Sequence, residues 1–348
     1  MKPKVSLGEG NTPLIESVHI GPSLGLSRLY FKLENCNPSG SYKDRFIASE
    51  VARMLSAGAH ACLATSSGNT GSALAAYCAR YEITCMVMVN EDAPAGKLVQ
   101  MQAHGANIFR VKDFIKSPKA TERVFEILTK LSAERGMPLV VSAFRCCPEG
   151  MAGVESIADE LLQQVPFPID HVFVPVGGGG LFSAVSRGFE RHSKSAARIH
   201  AVQPSGCSTV VAAFESGDSE IRPVESTTHI SGLAVPFDID ASLALELLRR
   251  RGGFGIAVED DEVYDAQQLA LSKEGIYCEP AGATGLAGLR KALNQNLVGR
   301  NDSVVCLITG HGFKDPGSIQ RAAAKHAPVL VGADELRHRI SEIASLCA

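Results

Sequence analysis

One alternation, running through most of the chain, limits the fold more than any other feature. Short aliphatic or β-branched runs occur at 29–33, 61–64, 84–89, 107–111, 139–142, 172–176, 199–202 and 304–309. Between them lie longer stretches with helical spacing of apolar residues, at 43–57, 71–80, 95–104, 119–135, 149–164, 181–192 and 260–274. Strands separated by helices predict βαβ units, hence open, twisted, mostly parallel sheets with helices on both faces. The strands of 61–111 make one compact unit and those from 172 onward a second. The expected architecture is therefore a small α/β domain over 46–149 and a larger one built from 1–45 plus 150–348. A polar stretch, 217–228, reads as a long loop. Ligands of open α/β sheets bind beyond the carboxyl ends of the strands. A site between two such units would collect loops from distant parts of the chain.

Composition narrows the partners. The 348 residues are 45% hydrophobic and 20% charged with a net charge of −3, the balance of a globular protein. Nucleic acid and anionic membranes are not expected partners. No apolar run approaches the roughly 20 residues that span a bilayer, and the N-terminus lacks the apolar core of a signal peptide. The ten cysteines are scattered without C-x-x-C spacing, which predicts reduced, buried thiols of a cytoplasmic protein. The histidines show no H-x-x-x-H or H-E-x-x-H spacing, so no metal site is expected. A G-x-S-x-G nucleophile elbow is also absent.

Five stretches carry chemistry. In Asn37-Pro38-Ser39-Gly40-Ser41-Tyr42-Lys43-Asp44-Arg45, a turn leads into a helix with Ser41 as a candidate N-cap. Lys43 falls in the first helical turn, where the helix dipole disfavours a cation and an amine nucleophile is well placed. Thr65-Ser66-Ser67-Gly68-Asn69-Thr70-Gly71 follows a strand and opens a helix, offering hydroxyls and free N–H groups to a carboxylate or phosphate. Gly177-Gly178-Gly179-Gly180-Leu181, again between a strand and a helix, suits a phosphate cradled by bare backbone. A dinucleotide would need an acidic residue at the end of the next strand, but that strand runs into Gln203-Pro204. A Walker A Lys-Ser/Thr pair is missing too, which leaves a small phosphorylated ligand. The remaining stretches are Cys278-Glu279-Pro280-Ala281-Gly282-Ala283 and Thr309-Gly310-His311-Gly312-Phe313-Lys314-Asp315. Thr309 is a hydroxyl at a strand end, and His311 is either an acid/base group or a satisfied loop histidine.

In order and spacing, these stretches together resemble the tryptophan-synthase-β-like (fold type II) pyridoxal-phosphate enzymes, and the two ends of the chain are most similar to the threonine synthase family. Gly8-Glu9-Gly10-Asn11-Thr12-Pro13-Leu14 and Thr309 to Pro316 carry the latter likeness. The resemblance implies pyridoxal phosphate as cofactor, held between the domains. It implies Lys43 as the Schiff-base lysine and proton carrier, and Asn69 as partner of the ring hydroxyl. Gly177, Gly178, Gly179, Gly180 and Leu181 would surround the phosphate, and Thr309 would face the pyridine nitrogen. Ser66, Ser67, Asn69 and Thr70 would hold the carboxylate of a small amino-acid substrate. The implied reaction is elimination or replacement on an activated amino acid such as O-phosphohomoserine. The alternatives are β-replacement on O-phosphoserine or O-acetylserine, and serine/threonine dehydration. The family's substrate-phosphate run is matched only by Ser142 and Arg145 in Val141-Ser142-Ala143-Phe144-Arg145, which makes Arg145 the candidate anion reader. A homodimer is also implied.

Overall fold

Ten strands build two sheets in the computed structural model, which describes residues 3–115, 117–192 and 195–345. They are β1 (Leu14–Glu16), β2 (Arg28–Leu33), β3 (Ala61–Ala64), β4 (Thr84–Asn90), β5 (Asn107–Val111), β6 (Leu139–Val140), β7 (His171–Pro175), β8 (Arg198–Pro204), β9 (Gly255–Val258) and β10 (Ser303–Ile308). One sheet has the order β1-β2-β10-β7-β8-β9, with only the β1–β2 pair antiparallel. The other, β5-β4-β3-β6, is wholly parallel.

Parallel strands need crossover helices, and those helices cover both faces of the sheet. Every residue of β7 and β10 is accordingly buried. Burial of side chains such as Phe31, Phe173, Phe182 and Phe189 contributes on the order of 1.5–3 kcal/mol each. The helix Pro280–Asn294 packs against the large sheet through its glycines. A Cβ on Gly288 would come within 2.4 Å of Val202 Cγ2, so only glycine permits that approach.

A buried ionic network fixes the start of the helix Lys43–Ser56. Arg45 donates to Glu34 Oε1 and Oε2 at 2.7 Å each, and to Glu160 Oε1 at 2.6 Å. Lys32 Nζ donates to Glu160 Oε2 at 2.6 Å and to the Thr12 carbonyl at 2.8 Å. Burial would raise the Glu160 carboxyl, but the hydrogen bonds and charge of Arg45, helped by Lys32, hold it at about 2. The N-terminal segment, β2 and two helices are thus tied together behind Lys43.

The expected stretch 149–164 is not one helix. It runs as Pro148–Ala152, a 3-10 turn over Gly153–Glu155, and Ser156–Gln164. A Cβ at Gly153 would meet Ser49 Oγ at 2.2 Å, so the chain bends where it presses on the helix Lys43–Ser56.

Candidate active site

The sequence-predicted residues converge where both sheets present the carboxyl ends of their strands. A chamber of about 1390 Å³ lies there, larger than the roughly 300–1,000 Å³ of an ordinary small-molecule pocket. Lys43, Ser66, Ser67, Asn69, Thr70, Gly177, Gly178, Gly179, Gly180, Leu181 and Thr309 all line it.

Lys43 is the first residue of its helix. Its Nζ donates to Ser142 Oγ, just beyond β6, and lies 4.6 Å from the centre of the Tyr42 ring. The N-cap position belongs to Tyr42 rather than to Ser41, and no side chain caps it. Asp44 instead organises the turn, accepting from Ser39 N at 3.0 Å and from Ser39 Oγ at 2.7 Å. Burial pushes Asp44 up to about 6, against the pull of those hydrogen bonds. The turn is stitched to the end of β10: Tyr42 N donates to the Thr309 carbonyl at 3.1 Å, and His311 N to the Gly40 carbonyl at 2.9 Å. Lys43 and Thr309, 266 positions apart in sequence, are held together by main chain.

Asn69 opens the helix Asn69–Arg80, and residues 66–70 at that helix N-terminus line the chamber. A Cβ on Gly71 would fall 2.1 Å from the Ser66 carbonyl oxygen, which accounts for the glycine. Asn69 Nδ2 donates to Glu279 Oε1 at 2.7 Å. Glu279 is buried beneath the chamber, and that burial pushes its carboxyl up to about 7 despite the Asn69 hydrogen bond and the Lys314 charge. Burial likewise pushes Lys314 down to about 8. Its Nζ donates to Gln100 Oε1 at 2.5 Å, and Gln100 Nε2 reaches the Ser39 carbonyl at 3.0 Å.

The glycine turn follows β7. Gly179 has φ +98°, and a Cβ there would meet the Asp240 carbonyl oxygen at 2.5 Å; one on Gly177 would meet the Gly232 carbonyl at 2.7 Å. Only bare backbone fits, and it runs directly into the helix Gly180–Glu190. This is the geometry that binds an anion. Gln203, where a ribose-binding acid would stand, accepts instead from Val210 N at 2.8 Å and Val211 N at 3.0 Å, and so caps the following helix. A lysine amine, a polar helix N-terminus, a glycine turn and a strand-end hydroxyl around one chamber fit pyridoxal phosphate together with an amino-acid substrate.

The structure does not bring Arg145 into the chamber. Its exposed guanidinium turns to Asp238, 3.2 Å from Oδ2. His311 lies outside the lining as well, packed between Tyr277 and Phe313, with its pKa lowered by burial. Sequence reasoning assigned no role to Lys97, Gln100, Lys314 or Glu279, and matched Ser142 only to a substrate-phosphate run. Of these, Glu279 and Lys314 stood in recognised motifs, but the contact of Glu279 with Asn69 spans 210 positions.

Comparison with known proteins agrees with this geometry. Residues 5–310 match the family described as pyridoxal-phosphate dependent enzyme. The threonine synthase of Methanocaldococcus jannaschii is 33% identical over 97% of this chain and 84% of its own length. That of Methanosarcina acetivorans is 31% identical over 97% of this chain and 83% of its own. The structure of maize serine racemase superposes with a TM-score of 0.75 at 26% identity, covering 90% of this chain and 92% of that one. The chain belongs to the family of pyridoxal-phosphate dependent enzymes. It is a threonine-synthase-like lyase of the fold type II architecture, and pyridoxal phosphate is its cofactor.

Proposed function

We propose that the enzyme carries out elimination and replacement on a small activated amino acid of the O-phosphohomoserine kind. The observation that carries this is the convergence of Lys43, the 65–70 turn, the glycine turn and Thr309 on one chamber. When bound, pyridoxal phosphate supplies a ring that takes up the electrons freed as the substrate loses its Cα proton. Lys43 would hold the cofactor through Nζ, and its amine would take and return the proton at the substrate Cα. Ser142 orients that amine. Gly177 to Leu181 hold the phosphate, Asn69 the ring hydroxyl, and Thr309 the ring nitrogen. Ser66, Ser67, Asn69 and Thr70 bind the substrate carboxylate with hydroxyls and helix N–H groups.

The unit 46–149 acts as a mobile small domain that closes over the substrate and excludes water. Support comes from its separate sheet and from the Lys97 Nζ–Ser231 Oγ hydrogen bond, which spans the chamber lining. A cytoplasmic location is supported by the free thiols of all nine described cysteines. Among the described residues no helix is long and apolar enough to cross a membrane. A homodimer is proposed on the family likeness.

One observation favours a second reading. Among the described residues, no arginine lines the chamber, and its only cations are Lys43, Lys97 and Lys314. A less charged leaving group fits this lining, as in β-replacement on O-acetylserine or dehydration of serine or threonine. The holoenzyme is tested with O-phosphohomoserine, O-phosphoserine, O-acetylserine, serine and threonine. Phosphate released together with threonine supports the first reading. Keto acid with ammonia marks dehydration, and turnover only with an added nucleophile marks β-replacement.

A further inference from the structure

Three of the cysteines that look scattered in sequence come together in space. Cys62 on β3 and Cys85 on β4 are register partners in adjacent parallel strands, so their side chains leave the same face of the sheet. Cys78, on the helix Asn69–Arg80, packs onto that face. Cys62 Sγ and Cys78 Sγ are 3.6 Å apart, and the three sulfurs all lie within 4.8 Å of one another. A metal–sulfur bond of about 2.3 Å in a trigonal plane sets sulfurs about 4.0 Å apart. The triangle is therefore already close to the size of a coordination shell.

A further observation points to a ligand rather than to three thiols used as filling. The group is buried, yet Cys78 and Cys85 form part of the lining of a surface cleft of about 220 Å³ that also contains Glu82, His104 and Asn107. A small ion thus has a way in from solvent. Zinc in a structural site takes four ligands. Among the described residues no histidine, aspartate or glutamate joins the three sulfurs. Soft thiolates without a fourth ligand favour copper(I).

We propose that Cys62, Cys78 and Cys85 form a three-sulfur site for one copper(I) ion, separate from the active-site chamber. On binding, each ligating sulfur breaks its S–H bond and forms a Cu–S bond. The protons leave to solvent through the cleft, and no electron moves. The ion clamps β3 and β4 to the helix that begins with Asn69.

The test is a titration of reduced holoenzyme, kept anaerobic, with copper(I) against a chromophoric copper(I) chelator. One equivalent per chain should be retained, and X-ray absorption of the wild-type protein should show a shell of three sulfurs. The double variant Cys36→Ser/Cys146→Ser, which lacks the two thiols that are exposed among the described residues, should retain the same equivalent. Cys78→Ser should release it, and the copper-induced rise in Tm should vanish with it. A wild-type enzyme that surrenders all its copper, or a Cys78→Ser protein that holds as much as wild type, overturns the site and leaves three packing thiols. Because the sulfur shell is read on wild-type protein, a variant that fails to fold does not shelter the proposal: a shell with nitrogen or oxygen neighbours, or fewer sulfurs, also overturns it.

Discussion

Lys43 and Glu279 are the two groups whose chemistry depends most on where the fold puts them. Lys43→Ala should abolish both turnover and the visible absorption of the lysine-bound cofactor, and Lys43→Arg should not restore them, because a guanidinium cannot serve as the amine. A variant with normal turnover would remove Lys43 from its role. Glu279 makes a pH prediction. Its folded value of about 7 lies above the ordinary carboxyl range of about 4.3. Between those values the folded state carries the extra proton, so the stability it contributes is complete below about pH 4 and is lost as pH rises through about 7. Asp44, pushed up to about 6, acts in the same sense. Glu160, held at about 2, acts in the opposite one: its contribution is present above the unfolded carboxyl range and lost as pH falls through about 2. Glu279→Gln removes the first effect alone. The fall in Tm of the holoenzyme between about pH 5 and about pH 8 should therefore be smaller in the variant. An equal fall in both proteins would mean that the Glu279 carboxyl is ionised throughout.

Elements with strong local signals were legible, and those without were not. Residues 61–64 and 107–111 were read as strands and form β3 and β5 with those bounds, because each is a short β-prone run closed by turn residues. β1 has three residues and β9 four beginning with glycine, too few for a period to show. The helix Pro280–Asn294 hid for the opposite reason. Residues 280–289 and Ala292 are all buried, so it lacks the polar face that gives a surface helix its pattern. The glycine turn was legible as a cradle, yet its dependence on Asp240 and Gly232 was not, since those contacts cross more than 50 positions. Gly179→Ala tests this dependence. A positive φ costs a side-chain residue about 1–3 kcal/mol, and the added Cβ would meet the Asp240 carbonyl oxygen at 2.5 Å. The cofactor's dissociation constant should rise about tenfold or more, as measured by equilibrium dialysis. Gly217→Ala is the control: φ is +76° but nothing lies within 4 Å of the new Cβ, so stability should fall with affinity unchanged. Equal affinity in the Gly179 variant would mean that the turn does not shape the phosphate site.

The two sheets act as one machine only if the segment after β6 is tied to the glycine turn, and Asp240 makes that tie. It stands at the N-cap of the helix Ala241–Arg250 but caps nothing with its side chain. Its carboxylate accepts from Phe144 N at 2.6 Å and from Arg145 N at 3.1 Å, and its own N–H donates to the Gly178 carbonyl at 2.9 Å. The segment so held includes Ser142, the hydrogen-bond partner of Lys43. One carboxylate therefore connects the lysine's partner to the floor of the anion cradle. A buried N–H left without an acceptor costs about 1–3 kcal/mol. Asp240→Ala should accordingly speed amide exchange at Phe144 and Arg145 by about ten- to a hundredfold, while amides in β7 and β10 keep their protection. The same variant should lose kcat more than it loses affinity for the cofactor, since the Gly178 contact is main chain and survives the substitution. If exchange at Phe144 and Arg145 does not change, the segment is held by Lys43 and Ser142 instead, and the two sheets are coupled through the lysine itself.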